Sequence, residues 1–280
     1  FLSGSDLSGT VMASATKNNH CISVSLVVMC MLAWDMVSSV MTGLERILAS
    51  EVDVLEGKRI GLIANATTVV QTLQHGIDLL YQKQGIELKV IFGPEHGLRG
   101  TAQDLEEVDD GPDSVTGLPV KSLYGKTLIP NREMLEGLDA LVFDVQDVGS
   151  RYYTYVWTMS YAMEACARDN LEFVVLDRPN PINGVHVEGN LIEEGYLSFV
   201  GLYPIPNRHG MTSGELAKFV NAEFDIGCDL TVVEIRGWPR NQWFDETGLP
   251  WVMPSPNMPA RSTATVYPGA CLLEGTDLSE

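Results

Sequence analysis

Five short apolar runs, spaced so that helical patterns fall between them, constrain this chain most. They are Arg59 to Asn65, Leu88 to Phe92, Ala140 to Asp147, Phe173 to Asp177 and Leu230 to Ile235. Each has strand length and is apolar almost throughout, the pattern of a strand buried on both faces rather than one. Between them, Thr72 to Gln84 places Leu73, Ile77, Leu79 and Leu80 on helical spacing. Arg132 to Gly137, Tyr153 to Arg168 and Ser213 to Glu223 read as three further helices, the last capped by Thr212 or Ser213. Strands alternating with helices predict an α/β fold, a parallel sheet with helices on both faces. Gly100 to Pro119 reads as a long acidic loop. Arg178 to His209 reads as an irregular stretch with four prolines, and Arg236 to Glu280 as loop-rich.

The chemistry collects where the runs end. The first ends at Asn65. The second runs into Gly93-Pro94-Glu95-His96-Gly97-Leu98-Arg99-Gly100. The third ends at Asp144, Gln146 and Asp147, followed by Arg151, Tyr152 and Tyr155. The fourth ends at Asp177, Arg178 and Asn180. In a parallel sheet these ends share one edge, the edge where open α/β sheets bind ligands. Glu and His are also common acid–base side chains. Aromatic rings beside carboxylates and amides suit a sugar, whose C–H faces pack on rings while its hydroxyls need hydrogen bonds. The plainer reading makes Glu95-His96 a polar turn and Gly149-Ser150 a helix start with tyrosines in the core.

Other chemistries fit less well. The first strand is not followed by Gly-x-Gly-x-x-Gly, and the chain contains neither a phosphate-binding Gly-x-x-x-x-Gly-Lys-Ser/Thr loop nor a Gly-x-Ser-x-Gly elbow. His96, His186 and His209 with Asp144 match no standard metal spacing, and the five cysteines suit neither zinc nor a disulfide framework. No metal or cofactor is expected. Eighteen Lys and Arg against 37 Asp and Glu give a net charge of −19, which argues against a nucleic-acid partner. Near the N-terminus, the apolar run Cys21 to Trp34 fits the core of an export signal and falls short of a membrane span. The expectation is an exported protein, periplasmic or secreted. Its leader would cover residues 1–40, its catalytic body 41–235, and the start of a further domain 236–280. A lipid anchor at Cys30 has weak support, because Val28-Met29 lacks the small residue of a lipoprotein cleavage site.

Six motifs appear in order. They are Gly93-Pro94-Glu95-His96-Gly97, Phe143-Asp144-Val145-Gln146-Asp147-Val148-Gly149-Ser150-Arg151, Asp177-Arg178-Pro179-Asn180-Pro181, Arg208-His209-Gly210-Met211-Thr212, Pro254-Ser255-Pro256-Asn257-Met258-Pro259 and Tyr267-Pro268-Gly269. From about Leu55 to Glu280 the chain resembles the exo-β-N-acetylmuramidase family (NamZ-type, glycoside hydrolase family 171), long catalogued as a domain of unknown function. The resemblance implies a Rossmann-like catalytic domain followed by a smaller C-terminal domain. It implies release of N-acetylmuramic acid from the non-reducing ends of peptidoglycan fragments, with Glu95 catalytic. Two departures stand out. Asn65 to Val70 lacks the glycine and acidic residue expected after the first strand, and the chain stops where the family continues with Gly-Arg-Gly-Thr.

On this reading Glu95 protonates the glycosidic oxygen. Such an acid needs burial or a nearby carboxylate to keep its proton at neutral pH. Asp144 and Asp147 are the candidates for the second carboxylate, and the carboxyl separation decides between retention and inversion. His96 would orient Glu95 or touch substrate. Asn65, Gln146, Tyr152, Tyr155, Asn180 and His209 are the expected sugar contacts. Arg151, Arg178 and Arg208 are the candidate readers of the lactyl carboxylate, with Arg151 first. The alternative is a non-catalytic periplasmic binding protein for sugars or muropeptides.

Overall fold

The computed structural model describes residues 39–95, 97–98, 111–193 and 195–276. The expected leader (up to residue 38), most of the acidic loop, His96 and Arg99 lie outside the described residues. Seven strands form one sheet: β1 (Arg59–Ala64), β2 (Glu87–Gly93), β3 (Gly111–Pro112), β4 (Pro119–Ser122), β5 (Ala140–Asp144), β6 (Glu172–Leu176) and β7 (Leu230–Val233). Their order is β3-β4-β2-β1-β5-β6-β7. Every neighbouring pair is parallel except β3 with β4. The parallel α/β reading is borne out.

Alternation along the strands explains why both faces need cover. Leu141, Phe143, Phe173 and Val175 point to one face, where α4 (Tyr155–Asp169) and α5 (Ser213–Glu223) bury Trp157, Met159, Leu216 and Val220 against them. Ile60, Leu62, Val142 and Val174 point to the other. There α1 (Gly43–Leu48) and α2 (Gly76–Gln82) contribute Leu44, Ile77 and Leu80. Connections leave β1 and β5 toward opposite faces, so the crevice outside their C-terminal ends is the switch point of the sheet.

Several expectations are corrected. The second-face helix begins at Gly76, not Thr72, because His75 caps it through Nδ1, which accepts from the Ile77 N–H at 3.2 Å. Leu73 is a turn residue at φ +65°, 61% exposed. The third run leaves the sheet after Asp144, so Gln146 and Asp147 stand on the loop beyond it. The short helix α3 is confined to Arg132–Leu135. The segment after β7 contains a further helix, α6 (Arg261–Ala270), and places Met258 and Ala264 in the core cluster of the α4 face.

The start of α5 is built around a buried acid. Thr212 and Glu215 form a capping box. Asp177 lies beneath it, accepting from the Thr212 hydroxyl (2.8 Å) and from the Gly214 (2.8 Å) and Arg178 (3.0 Å) amides. Only glycine fits at 214, since a Cβ there would stand 2.8 Å from the Asp177 carboxyl carbon. Burial pushes the Asp177 carboxyl up to about 7, against those three donors and with help from the Glu215 charge. Its folded pKa exceeds its unfolded value, so its contribution is complete below about pH 4 and is lost as pH rises through about 7. Wild type should therefore lose roughly 4 kcal/mol relative to Asp177→Asn between those limits. Urea unfolding of both proteins at pH 4.5 and pH 8 checks this. A difference that does not change with pH would assign Asp177 an ordinary titration.

Candidate active site

The candidate groups meet where the loops after β1, β2 and β5 converge. Glu95, at the exit of β2, is 8% exposed. Its Oε2 accepts from the hydroxyl of Thr154, which stands immediately before α4. Its Oε1 makes no hydrogen bond among the described residues. The β5–α4 loop also carries Asp147 and Tyr153. Asp147 is buried, and its Oδ2 accepts from the Gly149 amide at 2.7 Å. That turn needs Gly149 at φ +83°, where a Cβ would stand 2.4 Å from Asn180 Oδ1. The other oxygen, Oδ1, is enclosed without a partner.

His209 approaches the same carboxylate. Its Nδ1 accepts from the Met211 amide at 3.2 Å, which leaves Nε2 as the nitrogen carrying the proton. Nε2 lies 3.4 Å from Asp147 Oδ2, with no closer partner. Tyr153 lies near enough to both acids to feel the charge of each. Burial first, then Asp147 and Glu95, raise its phenol far above the usual range, against the Ser255 and Tyr155 hydroxyls. It therefore remains a protonated donor. Its hydroxyl makes no hydrogen bond of normal geometry, although Ser255 and Tyr155 are within interaction range. Asn65 completes the group. Its Oδ1 is held by the Thr67 amide (2.9 Å) and hydroxyl (2.6 Å), and its buried Nδ2 is unpartnered on the side of Tyr155. Orphan donors and acceptors so concentrated are what a site shows when substrate hydroxyls or water would complete it.

Other expected contacts are committed to holding the frame. Asp144 is wholly buried, and Arg178 grips both its oxygens, Nε to Oδ1 at 2.6 Å and Nη2 to Oδ2 at 3.0 Å. A carboxylate neutralised in this way is poorly placed to serve as base or nucleophile, and Arg178 is equally poorly placed to read a ligand's carboxylate. Gln146 donates its amide to the Asp147 and Pro179 carbonyls, both at 2.8 Å. Asn180 bridges the Met211 carbonyl (2.9 Å) and the Ile182 amide (3.1 Å). Tyr155 lies in the core under Tyr153, ring centroids 4.9 Å apart, and donates to the Pro254 carbonyl. Arg208 pairs with Glu188 at 2.8 Å, donates to the Ile182 carbonyl and lies over Trp243. Tyr152 lies under the Arg151 guanidinium, 5.1 Å from ring centroid to carbon. His96 lies outside the described residues.

Beside this cluster, a narrow crevice opens at the β1–β5 switch point. Thr67, Gln146 and Arg178 line one side, and Phe244 with Leu249 to Val252 the other. Trp251 stacks edge-on to Phe244 at 5.2 Å. Glu95 and Asp147 are not part of its lining. Sequence reasoning left Tyr153, Thr154 and Ser255 out of the site. Thr154 was hidden in a run of tyrosines, while Ser255 stood in a motif whose contact with the centre depends on the chain returning from residue 254.

Comparison with known proteins identifies the family. The family described as "Exo-beta-N-acetylmuramidase NamZ, N-terminal" matches residues 60–262. Peptidoglycan beta-N-acetylmuramidase NamZ of Bacillus subtilis (strain 168) is 54% identical over 241 residues, which cover 86% of this chain and 58% of that protein. A crystal structure of a DUF1343 family protein from Bacteroides fragilis NCTC 9343 matches with a TM-score of 0.79 and 46% identity, over 84% of this chain and 60% of that one. A second from the same organism matches at 0.73 and 37% identity, over 85% and 63%. The chain thus spans under two thirds of the length of these relatives. With its six ordered motifs and the family match over residues 60–262, the chain belongs to the exo-β-N-acetylmuramidase NamZ family, matching its N-terminal part.

Proposed function

We propose that this chain carries the catalytic centre of an exo-acting glycosidase that releases N-acetylmuramic acid from the non-reducing ends of peptidoglycan fragments, in cell-wall turnover and recycling. The observation that supports the reading is a pair of buried acids, each with one oxygen uncommitted among the described residues, whose charges both reach a protonated Tyr153. Glu95 gives its proton to the glycosidic oxygen as the bond to the anomeric carbon breaks. Asp147 faces the carbon side, either attacking it or taking a proton from the water that does. Either route ends with the sugar hydroxylated at the anomeric carbon, the leaving sugar protonated and both carboxyls restored. The Gly149 amide holds Asp147 in place with His209 Nε2 beside it, and Tyr153 donates to oxygens of the ring. The substrate class and the apolar run Cys21 to Trp34 together support an exported protein.

Asp147→Asn tests the assignment of the second carboxylate. The amide keeps an oxygen for the Gly149 N–H but is neither base nor nucleophile. Turnover number should fall by about 10²- to 10⁴-fold with little change in KM. Steady-state kinetics on a muramyl disaccharide checks it, and undiminished turnover would remove Asp147 from the mechanism.

A further inference from the structure

Every described arginine except Arg151 has a carboxylate oxygen within ion-pair distance. Arg151 is nonetheless 4% exposed. In a chain with a net charge of −19 this exception is costly, because a buried charge without a counter-ion is strongly unfavourable. Its Nη1 donates to the Asn190 (2.7 Å) and Ile205 (2.6 Å) carbonyls, and its Nε is enclosed without a partner. Carbonyl dipoles orient the guanidinium, and no carboxylate among the described residues balances its charge. Burial accordingly pulls its pKa below the ordinary arginine value.

Arg151 forms one wall of an open cleft, with Tyr152, Asn190, Tyr196 and Ser198. Glu193 is also in the wall, exposed and beyond ion-pair distance of Arg151. One buried guanidinium, with an acid nearby and no lysine among the described lining residues, suits a singly charged anion better than a phosphate. The position of Arg151 links the cleft to the reaction. Arg151 and Thr154 stand on one turn, pinned by the Tyr153 amide to the Ser150 carbonyl (3.0 Å) and by the Trp157 indole to the Arg151 carbonyl (2.8 Å). Thr154 holds Glu95.

We infer that the Arg151 cleft is a carboxylate subsite, in which Arg151 with the hydroxyls of Tyr152 and Ser198 takes the lactyl carboxylate of the sugar and so separates muramic from glucosamine substrates. This rests on the glycosidase reading, and two readouts keep the two claims distinguishable. The first is binding: N-acetylmuramic acid should raise the melting temperature of the wild-type protein well beyond N-acetylglucosamine, and Arg151→Met should abolish the difference. The second is turnover: Arg151→Met should lower the ratio of kcat/KM for an aryl muramide over the aryl glucosaminide by roughly 10- to 100-fold. Arg151→Lys should recover part of that ratio. Arg151 also ties down the segment from Asn190 to Ile205, so a Tyr152→Phe/Ser198→Ala variant, which leaves those ties intact, reads the same preference if Arg151→Met does not fold. Equal protection of the wild type by both sugars overturns the inference. So does an equal loss on both substrates, or full preference retained in every folded variant. If the wild type turns over neither substrate, the glycosidase reading fails while the binding comparison still decides the subsite.

Discussion

Glu95→Gln should slow cleavage of a muramyl disaccharide by about 10²- to 10⁴-fold, the usual worth of a positioned acid, while the protein stays folded. Thr154 donates to Glu95, and a glutamine carbonyl accepts that bond equally well. The replacement therefore preserves the position and removes the proton. The loss should appear in kcat, because a group that acts on the departing oxygen matters only as the bond breaks. Thr154→Val should lose less, since it frees the carboxyl to move but leaves its proton. Kinetics alongside melting curves separate the chemical effect from a folding defect.

Arg178→Met should produce the largest loss of stability, about 3–5 kcal/mol. Asp144 is fully buried with both oxygens on Arg178, so deleting the guanidinium strands a charge in the core. For a domain of this size that is a fall in melting temperature of about 6–20 °C. Adding Asp144→Asn to Arg178→Met should recover much of the loss, because the stranded charge is gone. Denaturant unfolding of the two single variants and the double variant measures the coupling. A double variant no better than Arg178→Met would show that Arg178 acts through the Val69 carbonyl it also binds, rather than through Asp144.

The frame was legible because it rests on local pattern. β1, β2, β5, β6 and β7 are apolar runs whose alternate residues meet two separate cores, and α5 carries its cap in Thr212 and Glu215. β3 and β4 were not legible, because two and four residues in a polar stretch have no periodicity of their own and exist by pairing. α6 was hidden by Pro268 within it. In the site, the sequence brought the right loops to one edge but could not apportion the carboxylates. The two aspartates three residues apart diverge because Arg178, on another strand end, reaches one and His209 approaches the other. Likewise the three arginines look alike in sequence. Only their contacts show that two already have acids and that Arg151 has none among the described residues.

The central claim is that Glu95 protonates a sugar leaving group on a muramic acid. Its most direct test compares wild type with Glu95→Gln on two substrates: a muramyl disaccharide, whose leaving alcohol needs a proton, and a nitrophenyl N-acetyl-β-muramide, whose leaving group departs as a stable anion. The account predicts that wild type releases N-acetylmuramic acid from both, and that Glu95→Gln fails on the disaccharide while keeping much of its activity on the aryl glycoside. Equal losses on both substrates, or a wild type that cleaves neither, would contradict it.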